Sequence, residues 1–494
     1  MQEYITRIRE HDSSLFGDDV SVQGDIAQCL GWTTLPQQAS ALYPLLDELT
    51  LMADERKITD VVLLGMGGSI LAASVFGEAY RSQAMRTLHV LDTTCPEEVI
   101  SLARTLDFTR TLFIIASKSG STLETVILEQ LFWDLAGHSV SDKSQRATYF
   151  IAITDPATPL EARARRRGYT LVYSPRDVGG RFSAFSVFGL VPCALVGIDC
   201  QVLVEEAINA QHLCEAVDEH NPVIVLASEI WEYYQQGADK LLLPDTPFSL
   251  WLGQLLAESL GKQDQGIVPI VGSLTCCCTD HVMPCPNHDV SASDSLLPSY
   301  GGLQRCCREG ATHSPASIAY SMVVWEWVVT LLGVLMGVNP FDQPDVARAK
   351  KATEHRLDRD EETPRTLSVD EALALVRPHD YVCVLAYVND QEYQHLKYTY
   401  LPFLAKQTAV PICLERGPCY LHSIGQVHKG GANTGVFIVI DNQTIDSPNV
   451  SLPKVEYTLR ELFDAQRLGD VEALVSLGRR VALQSVHDLP TFLD

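Results

Sequence analysis

The sequence predicts an α/β protein built on doubly wound parallel sheets with helices on both faces. Short apolar runs within ITDVVLLG (58–65), TLFIIA (111–116) and TYFIAITDP (148–156) alternate with longer helical patterns. These runs are continuous rather than alternating, as in strands buried on both faces. The chain has 494 residues, 46% of them apolar, which is enough for two or three domains with cores of their own. Ligands of such sheets sit in loops at the carboxyl ends of the strands.

Residues 1–50 read as mostly helical, with a Gly-Trp turn at 31–32. From residue 61 the order is strand, Gly-rich turn and helix (ITDVVLLGMGGSILAASVF), then a strand ending at Asp92 (TLHVLDTT). Strand, polar loop and helix follow at 110–133, with further strands at 148–156 and 169–175. A second unit starts near 201. NPVIVLASE (221–229), ADKLLLPD (238–245) and GIVPIVGS (266–273) read as strands, and WLGQLLAESLGK (251–262) as an amphipathic helix. The charged stretch 352–366 reads as a solvated linker, and the strands at 381–388 and 434–441 mark a further α/β unit. The expected organisation is a helical segment 1–50, domains 51–200 and 201–351, and a linker and C-terminal region 352–494.

Lys and Arg total 37 against 62 Asp and Glu, a formal charge of −25. That field repels nucleic acid and anionic membranes, so an anionic substrate needs a local cluster of donors. The N-terminus, MQEYITRIREHDSS, lacks the apolar stretch of a secretory signal. Residues 321–338 approach the length of a membrane span, but Glu326 lies inside and Asn339-Pro340 follow, so a buried core helix is expected. The 14 cysteines show no disulfide framework, which fits a reducing cytoplasm. Six of them lie between 276 and 307, with His281 and His288 among them. They read as a divergent insertion with incidental thiols or, less simply, a zinc site, although no CxxC pair repeats.

Several segments can carry chemistry. Gly65-Met66-Gly67-Gly68-Ser69 follows a buried strand and is either a tight packing turn or a close approach to a ligand. Ser117-Lys118-Ser119-Gly120-Ser121-Thr122 brings four hydroxyls, a lysine and a helix N-terminus to one loop, which suits a phosphate monoester. Arg181 after two glycines is an oxyanion stabiliser or a surface arginine. Glu258, in a largely apolar helix, is a general base if buried and an ordinary exposed glutamate otherwise. Gln343 and Lys350, seven residues apart, and the loop Gly425-Gln426-Val427-His428-Lys429-Gly430-Gly431 complete the inventory.

In this order, LLGMGGS, LDTTCPEE, SKSGSTLET, AITDPATPLE, DVGGRFSAFSVFGLVP, QLLAESLGK, VNPFDQPDVARAK and HSIGQVHKGGANTGVF resemble the phosphoglucose isomerase family, built from two SIS (sugar isomerase) domains. The resemblance is nearest to the isomerase half of the bifunctional transaldolase/phosphoglucose isomerase proteins and runs from about residue 8 to about 484. It implies two SIS domains with a C-terminal α/β extension, and an aldose–ketose isomerase of glucose 6-phosphate and fructose 6-phosphate that works as a homodimer without metal or other cofactor. It implies that Gly68, Ser69, Ser117, Lys118, Ser119, Thr122 and Gln343 bind the sugar phosphate. It implies further that Glu258 moves the proton between C2 and C1, Arg181 stabilises the enediolate, Lys350 aids ring opening, and Glu124 supports a catalytic histidine. The family's GQH segment is missing after Glu258, so the ring-opening acid is assigned to His428, with His288 as the alternative. A non-catalytic sugar-phosphate-binding SIS protein, or an isomerase of another sugar phosphate, is the other reading.

Overall fold

The computed structural model describes residues 1–17, 19–218, 220–272, 282–283, 318–359, 362–442 and 448–489. The Cys-rich stretch 276–307, with His281 and His288, lies outside them apart from Val282 and Met283.

Strands Asp60–Gly65 (β1), Thr87–Leu91 (β2), Thr111–Ala116 (β3), Phe150–Thr154 (β4) and Thr170–Tyr173 (β5) form a parallel sheet in the order β2-β1-β3-β4-β5. All of β3 and β4, and β1 after its first residue, are buried, so the continuous apolar runs do face helices on both sides. The chain leaves β1 for β2 on one side and returns to β3 on the other. This order reversal opens a crevice between the carboxyl ends of β1 and β3. Gly65 pairs with Ala116, so the Gly-rich turn and the Ser-rich loop emerge side by side.

Lys240–Leu243 (β6), Val268–Val271 (β7) and Val282–Met283 (β8) make a second parallel sheet, ordered β7-β6-β8. Tyr381–Tyr387 (β9), Ile412–Arg416 (β10), Gly435–Asp441 (β11) and Arg480–Ser485 (β12) make a third, ordered β10-β9-β11-β12 and also parallel.

The segment 221–229, expected as a strand, is a helix, Pro222–Gln235. Asn221 caps it by accepting from Val223 and Ile224 N–H, and Pro222 occupies the first turn, where its missing donor costs nothing. Val223, Leu226, Ala227 and Ile230 form the buried stripe, and this helical spacing outweighs the strand preference of Val and Ile. The charged stretch read as a linker also begins as helix, Ala347–Asp358. It packs on Leu459–Ser476 at Gly469, where a Cβ would lie 2.8 Å from the Thr353 amide nitrogen, and Arg356 pairs with Glu472 at 2.9 Å.

The apolar helix Ile318–Met336 is long enough to cross a membrane by length and composition, yet most of it is buried within the protein. The N-terminal segment joins the same core. Trp32 sits between Phe182, whose ring is tilted to it, and Trp327, which meets it edge-on, with ring centroids 5.2 and 5.3 Å away.

Candidate active site

After β1 the chain makes a tight turn, Gly67–Ser69. A Cβ on Gly68 would lie 2.3 Å from the Gly180 carbonyl carbon, so only bare backbone lets this turn meet Gly179-Gly180. That contact seats Arg181 beside the crevice. Gly68 and Ser69 therefore form one wall.

The second wall is the loop after β3. Ser117 Oγ accepts from the Gly120 amide at 3.1 Å and lies 3.1 Å from Thr122 Oγ1. Thr122 is the cap residue of helix Leu123–Ser139, yet its side chain makes no capping bond. Thr122 therefore leaves the helix start without a side-chain cap. Ser119 and Ser121 bond each other at 3.1 Å at the loop tip. Lys118 departs from the expected placement. Its ammonium is held by Asp155 at 2.9 Å and the Pro175 carbonyl at 2.7 Å, because β3 and β4 are neighbours and Asp155 follows β4 directly.

Helix Pro247–Leu260 supplies Glu258. Pro247 stands in its first turn and Thr246 caps it by accepting from Ser249 N–H. Glu258 is buried rather than exposed, and Arg181 Nη1 donates to its Oε2 at 3.2 Å. The same nitrogen donates to Gln343 Oε1 at 2.8 Å, and Arg181 Nε donates to Ser259 Oγ at 2.9 Å. Three distant segments thus meet on one guanidinium. Burial raises the Glu258 carboxyl above its ordinary pKa, with the charge of Arg181 partly offsetting it. Burial likewise lowers Arg181. Lys262 fixes the loop that carries Gln343. Its ammonium donates to the Asn339 and Asp342 carbonyls and to Asp342 Oδ1, each at 2.6 Å, and burial brings it down to about 8.

Lys350 and His422 open onto a cleft of about 230 Å³, shared with Ser119, Thr122, Glu124 and Gln466. His422 Nε2 lies 2.9 Å from Glu124 Oε1, and Gln466 Nε2 donates to the same oxygen at 2.6 Å. Thr94 Oγ1 donates to the Gln466 carbonyl oxygen at 2.5 Å, which fixes the amide's orientation. Burial pushes Glu124 up, but the charge and hydrogen bond of His422 outweigh it, and the carboxyl settles below its usual range.

His428, assigned from sequence as the ring-opening acid, is placed elsewhere. It is 1% exposed in the core under β9, with Nδ1 2.8 Å from Tyr381 Oη and its ring edge-on to Phe437. Helix Gly425–Gly430 turns it inward, and burial lowers its pKa far enough to keep it neutral. The histidine beside Glu124 is His422, six residues earlier in the same motif. Sequence reasoning also passed over Gln254, one helical turn before Glu258, whose Nε2 donates to the His422 carbonyl at 2.9 Å. Gln254 had a legible signal, a polar residue four positions before Glu258 on an apolar helix. His422 had none beyond sharing a motif with His428. Among the described residues no group of three or more His, Cys, Asp or Glu could hold a metal ion.

The family model described as phosphoglucose isomerase matches residues 52–266, the span holding the glycine turn, the Ser-rich loop, Arg181 and Glu258. Over that span the chain is similar to the phosphoglucose isomerase family. A glucose-6-phosphate isomerase of Thermus thermophilus is 29% identical over 387 residues, 68% of this chain and 92% of that protein. One from Synechococcus is 33% identical over 226 residues, 42% of this chain and 40% of that protein. The crystal structure of a glucose-6-phosphate isomerase from Chlamydia trachomatis shares the fold, with a TM-score of 0.50, 19% identity and coverage of 72% of this chain and 78% of that one.

Proposed function

We propose that this protein interconverts glucose 6-phosphate and fructose 6-phosphate by moving one proton between adjacent carbons through a cis-enediol. The reading is carried by the meeting of Glu258 and Arg181 beside the crevice that ends in the hydroxyl-rich loop. A buried carboxylate is a stronger base than one in water, and it can take the proton from C2 and return it to C1. The enediolate gains negative charge at oxygen, which a fixed guanidinium stabilises most in the transition state.

In this reading Ser117, Ser119, Thr122 and the free helix amides hold the phosphate. Gly68, Ser69 and Gln343 shape the sugar pocket, and Lys118 braces the loop through Asp155. His422, oriented by Glu124, replaces His428 as the ring-opening acid, with Lys350 across the cleft near the ring oxygen. The phosphate contacts supply remote binding energy that positions the reacting carbons. The reading extends to a cytoplasmic homodimer.

The test is conversion of fructose 6-phosphate to glucose 6-phosphate by purified protein without added metal, beside Glu258→Gln. Turnover lost in the variant supports the reading. Fructose 6-phosphate binding without wild-type turnover overturns it in favour of a sugar-phosphate sensor.

A further inference from the structure

A cavity of about 350 Å³, larger than the catalytic cleft, lies behind the turn that carries His422. Strands of all three sheets end on it. Asp92 follows β2, Asp245 follows β6, Val271 and Gly272 close β7, and Glu415 lies near the end of β10. Carboxyl ends of parallel strands are where α/β proteins place ligands, and the volume is in the range of small-molecule sites. The side chains of Leu71, Leu250, Leu401, Leu414 and Ile424 give the wall an apolar part.

The cations on this wall are already engaged. Lys397 pairs with Asp245, while Arg416 pairs with Glu98 at 2.9 Å and Asp390 at 2.7 Å. Two acceptors on the wall are left over. Glu415 is 7% exposed and, among the described residues, its carboxyl meets no donor. Gln254 Oε1 is buried without a hydrogen-bond partner. A buried carboxyl and a buried amide oxygen without donors are costly features, and an occupant that donates hydrogen bonds and carries positive charge answers both.

We propose that this cavity is a second small-molecule site that takes a small primary amine in its cationic form, with the ammonium on Glu415 and Gln254 Oε1 and the carbon chain against the leucines. Burial alone lifts Glu415 to about 8, and a bound ammonium would return it to the carboxylate form. The cavity shares no lining residue with the cleft of Thr122, Glu124 and Lys350, although its Gln254 stands one helical turn from Glu258.

The test is calorimetric titration of the full chain with n-butylamine, with n-butanol as the neutral probe of the same shape, in moderate salt. The expected result is that the amine binds and the alcohol does not. Glu415→Gln should weaken the amine by at least roughly tenfold, the worth of a charge-assisted hydrogen bond. Leu250→Trp, at a partly exposed leucine on the wall, should block the amine, and it decides the matter if Glu415→Gln fails to fold. Saturating fructose 6-phosphate should leave amine binding unchanged. Equal binding of the alcohol, equal amine affinity in both variants, or displacement by fructose 6-phosphate overturns the proposal. None of these readings requires isomerase turnover, so the outcome is separable from that of the proposed function.

Discussion

His422 Nε2 and Glu124 Oε1 lie 2.9 Å apart, a contact formed across 298 positions of the chain. It joins the helix Leu123–Ser139 after the Ser-rich loop to the third sheet's module, and the Gln466 amide locks it from the helix Leu459–Ser476. The carboxylate fixes the imidazole's tautomer and orientation, which the proposed ring-opening acid requires. Glu124→Gln keeps the shape and removes the charge. It should lower turnover of the cyclic sugar phosphate by roughly 10- to 100-fold, read from steady-state kinetics with fructose 6-phosphate.

His422→Asn and His428→Asn separate the two histidines. The first should lower kcat by about 100-fold or more with little change in melting temperature. The second should leave kcat within a few-fold and cost about 1–3 kcal/mol of stability in chemical denaturation, because Tyr381 loses a buried partner. A kcat collapse in His428→Asn alone would return the ring-opening role to that residue.

The pH profile should carry the mark of Glu258. Its carboxyl is raised by burial and held back by Arg181, and only the ionised form removes a proton. The acid limb of kcat/KM should therefore lie above the ordinary carboxylate range, with activity falling as the pH drops through it. Residual activity of Arg181→Gln should show the limb moved to still higher pH. A limb that moves down would remove Glu258 from the role of base.

Stability should fall as the pH rises from 5 to 8. Burial raises Glu98 to about 7 and Glu415 to about 8, from an ordinary value of 4.5. In this window the folded state keeps protons that the unfolded chain has released, so the contribution is full below about 4.5 and is lost as the pH climbs through the folded values. Tyr393, Cys383 and Cys419 face Glu415, and burial raises each of them too, so they stay neutral throughout the window. Glu415→Gln should flatten this decline by at least about 1 kcal/mol in denaturation midpoints compared at pH 5 and 8. An unchanged slope would mean that Glu415 is not held neutral.

Much of the first sheet was legible because its strands are short, continuous apolar runs between Gly- and Ser-rich turns. Runs such as VVLLG and TLFIIA, short and bounded by turn signals, suit strands buried on both faces. The helix Pro222–Gln235 was not legible as such. Its Val and Ile favour strands locally, and only the stripe they present to the core settles the matter. Lys118 shows the same limit at the site. Its charge is visible in the sequence, whereas its commitment to Asp155 depends on β4 lying beside β3.

By itself the sequence determined the parallel α/β architecture of the first sheet and the hydroxyl-rich loop at a helix start. These are matters of residue type and local spacing, which the chain carries wherever it folds. The tertiary structure decided which histidine meets Glu124, which cation is spent on bracing, and that Glu258 is buried against Arg181. Each depends on surfaces hundreds of residues apart closing on one another, and burial and charge proximity exist only once they have.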